Sequence, residues 1–159
     1  MFGIIDDVLI DPEGYVKEVL SNSFVDVSDG VNIFKGIQPR SNDEFEKKVL
    51  DIFIGYEVAF NFIRQSPYLQ DEPNYLHSDE MMGDVTILLY LNENHPEGAG
   101  TTVYIPNDTK VIDYNFNRMC WFDSKELHSR NIKENFGVGD EARLVQVIFL
   151  KEKNGFNRA

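Results

Sequence analysis

The spacing of apolar residues changes near Tyr56, and this change constrains the fold of the 159-residue chain more than any other feature. From there Val58, Phe60 and Phe62 alternate with polar or small residues, which is the spacing of a strand with one buried face. Four further strands are predicted, over residues 85–91, 101–105, 119–122 and 144–150. Several short strands behind a helical front predict a mainly β fold, a double-stranded β-helix (jelly roll) braced by N-terminal helices.

The first third of the chain carries the signals of two helices and a hairpin. Asp11-Pro12 has the form of an N-cap followed by proline at the first helical position, which predicts a helix through about Leu20. A turn-rich stretch between residues 24 and 34 predicts the hairpin. Ser41 and Glu44 are spaced as the capping box of a second helix. Its apolar stripe consists of Phe45, Val49, Ile52 and Phe53.

The composition is that of one globular domain. Hydrophobic residues make up 42% of the chain and aromatic residues 13%, which is enough apolar surface for a sizeable core. No repeat or shift in composition marks a boundary. We therefore expect a single domain over residues 1–159, in which residues 1–55 give helical support and residues 56–159 form the jelly-roll core.

The acidic charge of the chain disfavours two classes of partner. A formal net charge of -12 repels nucleic-acid phosphates and anionic membrane surfaces. The sequence also lacks the basic start of a signal peptide and the roughly 20 apolar residues of a membrane-spanning helix. The one cysteine, Cys120, lies in an apolar run and is expected to be an inert core residue. These features favour a cytoplasmic location.

Two of the three histidines fall into a pattern that suits a metal ion. His77 and Asp79 are two residues apart, so both side chains would point to one side of an extended strand. His128 would complete a two-histidine, one-carboxylate face, which is a ligand set for non-haem Fe(II). Tyr75 would share the face of His77 and is a candidate pocket residue. The third histidine, His95, lies in a loop and is expected to be exposed.

Each of these residues, taken singly, has an ordinary structural explanation. His77 could bond to Asp79 or to the backbone, and His128 could end a strand near the surface. Arg143 changes the balance, because it shares the alternating face of an apolar strand and would need an anionic partner there. Its planar guanidinium suits a carboxylate. The alternative is an exposed pair at the strand edge with an acid such as Glu141.

A series of motifs around these residues resembles the iron(II)- and 2-oxoglutarate-dependent dioxygenases, and among them the prolyl 4-hydroxylase-like branch. The series contains, in the order of that family, His77-Ser-Asp79, Tyr90-Leu-Asn92, Gly98-Ala-Gly100, Asn117–Phe122, Leu127-His128-Ser129 and Arg143. Together the motifs cover the chain from Tyr75 to Leu150. Several separated motifs in one order are far more specific than any of them alone.

The resemblance implies a role for each matching residue. His77, Asp79 and His128 would hold Fe(II), and Arg143 would pair with the distal carboxylate of 2-oxoglutarate. Tyr90 matches a position where relatives often place a hydroxyl on that carboxylate. The alternative is an aromatic core residue. The implied cofactors are Fe(II), 2-oxoglutarate as cosubstrate and O2, with ascorbate as a candidate reductant.

The sequence also departs from the family pattern near Arg143. Some relatives carry a hydroxyl residue two or four positions after the basic residue, where this chain has Val145 and Val147. A polar loop over residues 131–140 also places Arg143 further from His128 than is usual.

The expected function is hydroxylation of a peptide side chain or a small molecule, with release of succinate and CO2. The presence of Asp79 favours this reaction, since related halogenases leave the carboxylate position empty. Two alternatives stay open: a cupin-type metal oxygenase that needs no 2-oxoglutarate, and a non-catalytic jelly-roll binding module. The sequence identifies neither the substrate nor the oligomeric state.

Overall fold

The computed structural model describes residues 1–70, 76–132 and 134–154. Within these ranges it contains two α-helices, α1 (Pro12–Leu20) and α2 (Glu44–Ile52), and a short 3-10 helix, Gly139–Glu141. The strands are β1 (Phe2–Ile5), β2 (Val25–Ser28), β3 (Ile33–Pro39), β4 (Tyr56–Ser66), β5 (Val85–Tyr90), β6 (Thr101–Ile105), β7 (Asp108–Ile112), β8 (Met119–Asp123), β9 (Leu127–Arg130) and β10 (Arg143–Glu152). No helix in the described part of the chain is long and apolar enough to cross a membrane.

The strands form a large and a small antiparallel sheet, which confirms the mainly β, jelly-roll prediction. The large sheet has the order β1-β8-β5-β10-β4-β3-β2, and the small sheet has the order β7-β6-β9. The N-terminal strands β1, β2 and β3 thus join the same large sheet as the strands that follow α2. This arrangement joins both ends of the described chain into one sheet.

The two faces of the large sheet pack against different layers. On one face, Val19 of α1 and Phe45 of α2 pack against sheet residues such as Ile148, in what we term the helix-side core. On the other face, Val145 packs with Val103 of the small sheet, in what we term the barrel core. Residues of β10 alternate between these two cores, as expected for a central strand.

Strand β5 lies between β8 and β10 and is buried on both faces, as predicted from its apolar sequence. Ile87 and Leu89 belong to the helix-side core, while Tyr90 belongs to the barrel core and Leu88 packs against it. Strand β5 therefore contributes to both layers and carries Tyr90 to the inside of the barrel.

The first helix begins as predicted, whereas the second does not. The Asp11 side chain accepts a hydrogen bond from the Gly14 amide at 3.0 Å. In α2 the cap is Asp43, which accepts from the Glu46 amide at 2.9 Å, so the predicted capping box of Ser41 and Glu44 is wrong. Asp43 is the N-cap because it lies directly before the first helical residue, where its side-chain oxygen can reach the amide of Glu46, the third residue of the helix.

The apolar stripe of α2 is shorter than predicted. Phe45, Val49 and Phe53 are buried in the helix-side core, but Ile52 is 45% exposed. Ile52 is the last residue of the helix, where the chain turns towards β4. The predicted stripe is therefore correct for three of its four residues.

The prediction that Val58, Phe60 and Phe62 share one face is wrong, because β4 contains a β-bulge. The register of β4 against β10 shifts so that Phe60 pairs with Phe149 while Val58 pairs with Leu150. One extra residue in β4 reverses the facing of everything before it. Val58 consequently packs on the helix-side core, whereas Phe60 lies on the opposite face and its ring contacts Phe149.

A buried polar network fastens both helices to the back of the large sheet. The Asp43 carboxylate accepts hydrogen bonds from Tyr15 of α1 at 2.9 Å, from Arg40 at 3.0 Å and from Gln146 of β10 at 2.9 Å. Burial alone would raise the pKa of Asp43, but hydrogen bonds from the Glu46 amide, Gln146 and Arg40 outweigh it and lower the pKa. The carboxylate therefore stays ionised beneath β10 at neutral pH.

Candidate metal and cosubstrate site

The structure brings His77, Asp79 and His128 together beside the small sheet. His77 and His128 form an antiparallel bridge, in which the His77 amide donates to the His128 carbonyl at 3.1 Å and the reverse bond measures 2.8 Å. One candidate ligand atom from each of the three residues lies within 4.8 Å of the other two. The sequence pattern therefore corresponds to a real cluster in space.

The separations within this cluster fit a metal ion. His128 Nε2 lies 2.9 Å from Asp79 Oδ2, and His77 Nε2 lies 3.6 Å from Asp79 Oδ1. Neighbouring ligands of an octahedral ion with bonds of about 2.1 Å are about 3 Å apart, so small side-chain adjustments would centre an ion among these atoms. Two imidazoles and one carboxylate on one face are a donor set suited to Fe(II) with positions left open.

A second contact fixes the orientation of the His128 ring. Its Nδ1 lies 3.1 Å from the Glu126 carbonyl oxygen. A proton on Nδ1 would complete that hydrogen bond, which leaves the lone pair of Nε2 directed towards Asp79. The ring also packs on Phe122 at a centroid distance of 4.7 Å. The tautomer that suits a ligand is therefore the one favoured by the backbone.

Asp79 is tied to the other side of the barrel. Its amide donates to the carbonyl of Ser124, which follows β8 in the large sheet, at 2.8 Å. His77 is instead tied to β9 of the small sheet. The cluster therefore spans from one sheet to the other.

Exposure of the three side chains is graded. The side chain of His128 is 8% exposed, that of Asp79 is 19% exposed and that of His77 is 38% exposed. The cluster thus lies at the rim of the barrel core, with His128 at its buried side. An ion held here would be reachable from outside by a substrate.

Arg143 lies at the start of β10, on the barrel-core side. It pairs with Ser66 of β4 and alternates in phase with Val145, a member of the barrel core. Arg143 is half-buried, and its Nε is buried without a hydrogen-bond partner among residues 1–70, 76–132 and 134–154. Over the same ranges no ion pair joins Arg143 to Glu141. The inward placement predicted from alternation is the one observed.

Tyr90 presents a hydroxyl inside the barrel and is also a core residue. It is fully buried, and its ring stacks on Tyr114 at a centroid distance of 4.3 Å. Its hydroxyl lies 2.7 Å from Thr101 Oγ1 of the small sheet. Burial raises the pKa of Tyr90 well above its usual value, although Thr101 and the positive charge of Arg143 oppose the shift. The phenol is therefore protonated and able to donate.

The remaining predicted residues lie outside the cluster or outside the described ranges. Tyr75 falls between residues 70 and 76 and is not described. His95 is half-buried rather than exposed, with its ring 4.8 Å from that of Tyr114. Cys120 is fully buried, and burial raises the pKa of its thiol to about 12, which agrees with an inert core residue.

One residue that the sequence did not indicate is Ser66, the last residue of β4. It is fully buried, and its hydroxyl has no hydrogen-bond partner among the described residues. A single serine between a glutamine and a proline carries no pattern of its own. Only the strand register, which sets it opposite Arg143, reveals its position.

Comparison with solved structures shows which class of protein has this fold. The chain shares the fold of 2-oxoglutarate/Fe(II) oxygenases, including prolyl hydroxylases, at low sequence identity. No family model matches the sequence, and no curated protein matches it.

Three of these structures illustrate the likeness. A Trichoplax adhaerens prolyl hydroxylase, in complex with a peptide of hypoxia inducible factor, is 19% identical with a TM-score of 0.66, covering 94% of this chain and 82% of its own. A Pseudomonas putida prolyl-4-hydroxylase is 15% identical with a TM-score of 0.64, covering 96% and 93%. The epimerase SnoN, in complex with Fe3+, alpha ketoglutarate and nogalamycin RO, is 10% identical with a TM-score of 0.63, covering 95% and 78%.

Proposed function

We propose that this protein is an Fe(II)- and 2-oxoglutarate-dependent oxygenase with a single domain over residues 1–159. The observation that carries the proposal is the convergence of His77, Asp79 and His128 at the rim of a barrel that also holds Arg143 on its inner face. The fold shared with oxygenases of this type supports it. Iron and 2-oxoglutarate, when bound with O2, would supply an oxidation that converts the cosubstrate to succinate and CO2 and transfers one oxygen atom to the substrate.

The protein's own residues divide the work of binding between two places. His77, Asp79 and His128 would hold the metal from one side and leave the other side open. Arg143 would pair with the distal carboxylate of 2-oxoglutarate, and the protonated Tyr90 would donate to it. Both groups lie on the barrel-core side of the large sheet, where low water access strengthens such contacts.

The substrate that we propose is a peptide side chain or a small molecule, and the reaction is a hydroxylation. The fold accommodates either class, since the Trichoplax enzyme holds a peptide and SnoN holds nogalamycin RO. The net charge of -12 disfavours nucleic acid. The half-exposed position of His77 suits a substrate that approaches from the rim. We also propose that the protein acts in the cytoplasm.

The first experiment measures succinate formed by the purified protein, loaded with Fe(II) without oxygen and then supplied with 2-oxoglutarate and O2. Release of succinate would exclude the non-catalytic alternative, because a binding module does not turn over. Failure of the iron-loaded protein to bind 2-oxoglutarate would contradict the proposal. Oxygen consumption that needs no added 2-oxoglutarate and is unchanged in Arg143→Ala would instead favour the cupin-type oxygenase that needs no cosubstrate.

A second experiment tests the metal ligands directly. The iron content of the wild type is compared with that of His128→Ala after the same loading and desalting. Equal iron in both proteins would contradict the proposed ligation. Once turnover is established, a search for peptides and metabolites heavier by one oxygen atom would identify the substrate.

A further inference from the structure

We propose that Ser66 donates a hydrogen bond to the distal carboxylate of 2-oxoglutarate, beside Arg143. This inference rests on the proposed function. It assigns a role to a residue outside the metal cluster, and it explains how the chain manages without a hydroxyl at Val145 and Val147.

The strand register places Ser66 and Arg143 side by side. Ser66 ends β4 and Arg143 begins β10, and the two residues are directly opposite each other in the antiparallel pair. Side chains of opposite residues point to the same face, with Cβ atoms about 5 Å apart. A group bound by the Arg143 guanidinium on this face therefore lies within reach of the Ser66 hydroxyl.

Both residues carry a buried polar atom that lacks a protein partner. Ser66 is fully buried, and neither its Oγ nor the Nε of Arg143 makes a hydrogen bond within the described chain. Buried polar atoms are nearly always paired, because burial without a partner costs the solvation of the group. Two such atoms on opposite residues, both able to donate, indicate a shared acceptor.

The surroundings identify the acceptor as an anion. Val145, the next residue of β10 on the face of Arg143, pairs with Tyr90 of β5. The face around Ser66 thus carries the guanidinium of Arg143 and a phenol. A carboxylate accepts several hydrogen bonds at once and matches both the charge and the number of donors.

The hydroxyl comes from a neighbouring strand rather than from β10 itself. Val145 and Val147 cannot donate, and both pack in or against the barrel core. Ser66 on β4 supplies a donor to the same face from the opposite strand. The departure of this chain from the family pattern is therefore compensated across the β4–β10 pair.

The test compares Ser66→Ala with the wild type in two measurements. The first is the dissociation constant of 2-oxoglutarate for the Mn(II)-loaded protein, determined by calorimetry without oxygen. Loss of one hydrogen bond to a charged group should raise it roughly ten- to hundredfold. The second is the melting temperature of the ligand-free protein, which should stay the same or rise because an unpaired buried hydroxyl is removed.

Tyr15→Phe provides a control on the opposite face of the large sheet. Tyr15 is also buried, but its hydroxyl already donates to Asp43 at 2.9 Å. Its loss should lower the melting temperature and leave the affinity for 2-oxoglutarate unchanged. If Ser66→Ala does not fold, Ser66→Cys keeps a similar shape with a weaker donor and should show the loss of affinity.

A second ligand locates the contact on the cosubstrate. 2-Oxopentanoate has the carbon chain of 2-oxoglutarate without the distal carboxylate, so Ser66→Ala and the wild type should bind it equally. An equal loss with both ligands would overturn the assignment to the distal carboxylate. Unchanged affinity for 2-oxoglutarate in Ser66→Ala would overturn the inference alone, whereas a wild type that binds no 2-oxoglutarate would overturn the proposed function.

Discussion

Replacing His128 by alanine should remove most of the stabilisation that a divalent ion would give to the fold. His128 is the most buried member of the cluster, and its Nε2 lies 2.9 Å from Asp79. Without it only two ligand residues remain, His77 and Asp79, on a segment tied to both sheets by backbone hydrogen bonds. The ion would then lose the ligand that is held most firmly in place.

The expected size follows from ligand linkage. A free metal concentration one hundred times the dissociation constant stabilises the folded state by about 2.7 kcal/mol. For a domain of this length each kcal/mol raises the melting temperature by about 2–4 °C, so the wild type should gain about 5–11 °C. If His128→Ala binds the ion roughly a hundredfold more weakly, the same concentration stabilises it by only about 0.4 kcal/mol, or about 1–2 °C.

The assay is a thermal melt without oxygen, with and without Mn(II) or Fe(II), of the wild type, His128→Ala and His95→Ala. His95 is the matched control, because it is a histidine outside the cluster. Its variant should keep the full metal-induced rise. A metal-induced rise of wild-type size in His128→Ala would refute the proposed metal site. The site would also be refuted if the rise were lost in His95→Ala but kept in His128→Ala.

Three further substitutions test the rest of the structure. Arg143→Ala should weaken 2-oxoglutarate binding by about 2–5 kcal/mol, at least thirtyfold, with the metal-induced rise intact; calorimetry showing an unchanged affinity would contradict this. Tyr90→Phe keeps the ring that stacks on Tyr114 but removes the donor, so the same titration should show roughly tenfold weaker binding. Asp43→Asn should flatten the acid limb of stability measured by urea unfolding. The pKa of Asp43 is lower in the folded state than in the unfolded state. Its contribution to the free energy of unfolding is therefore fully present above the unfolded pKa of about 3.9 and is lost as the pH falls through the folded pKa. Parallel curves of stability against pH for the variant and the wild type would contradict the role of the ionised carboxylate.

Elements specified by neighbouring residues were predictable from the sequence. The first helix follows from Asp11-Pro12, whose cap needs contacts only three residues away. Strand β5 follows from its continuous apolar run, because a strand between two packed layers must be apolar on both faces. These features depend on local geometry and composition, which a single sequence contains.

Elements that depend on distant partners were not predictable. Strand β1 has only four residues and exists as the edge partner of β8, with Phe2 opposite Phe122. Strand β7 is largely exposed and polar, so no apolar pattern in the sequence predicts it. It forms because it pairs with β6. The bulge between β4 and β10 likewise depends on the register of two strands far apart in sequence.

The candidate site shows the same division. Alternation alone places His77 with Asp79 and turns Arg143 inward, but nothing in the sequence near Ser66 reveals that it faces Arg143. Ser66 becomes visible only when burial and strand register are combined, because a lone hydroxyl has no pattern.

The two halves of the candidate site are linked by strand β6 of the small sheet. Val103 pairs with His128 in the β6–β9 ladder, while Thr101, two residues earlier, holds the Tyr90 hydroxyl at 2.7 Å. Residues two apart on a strand point to the same face. One short strand therefore contacts both the strand of His128, a proposed metal ligand, and the hydroxyl of Tyr90, a proposed donor to 2-oxoglutarate. The span between those groups is therefore set by a rigid, fully paired strand, since β6 is bonded to β7 on one side and to β9 on the other. The proposed cosubstrate would have to reach from the metal to Arg143, and the barrel core provides the fixed separation that such a molecule would need.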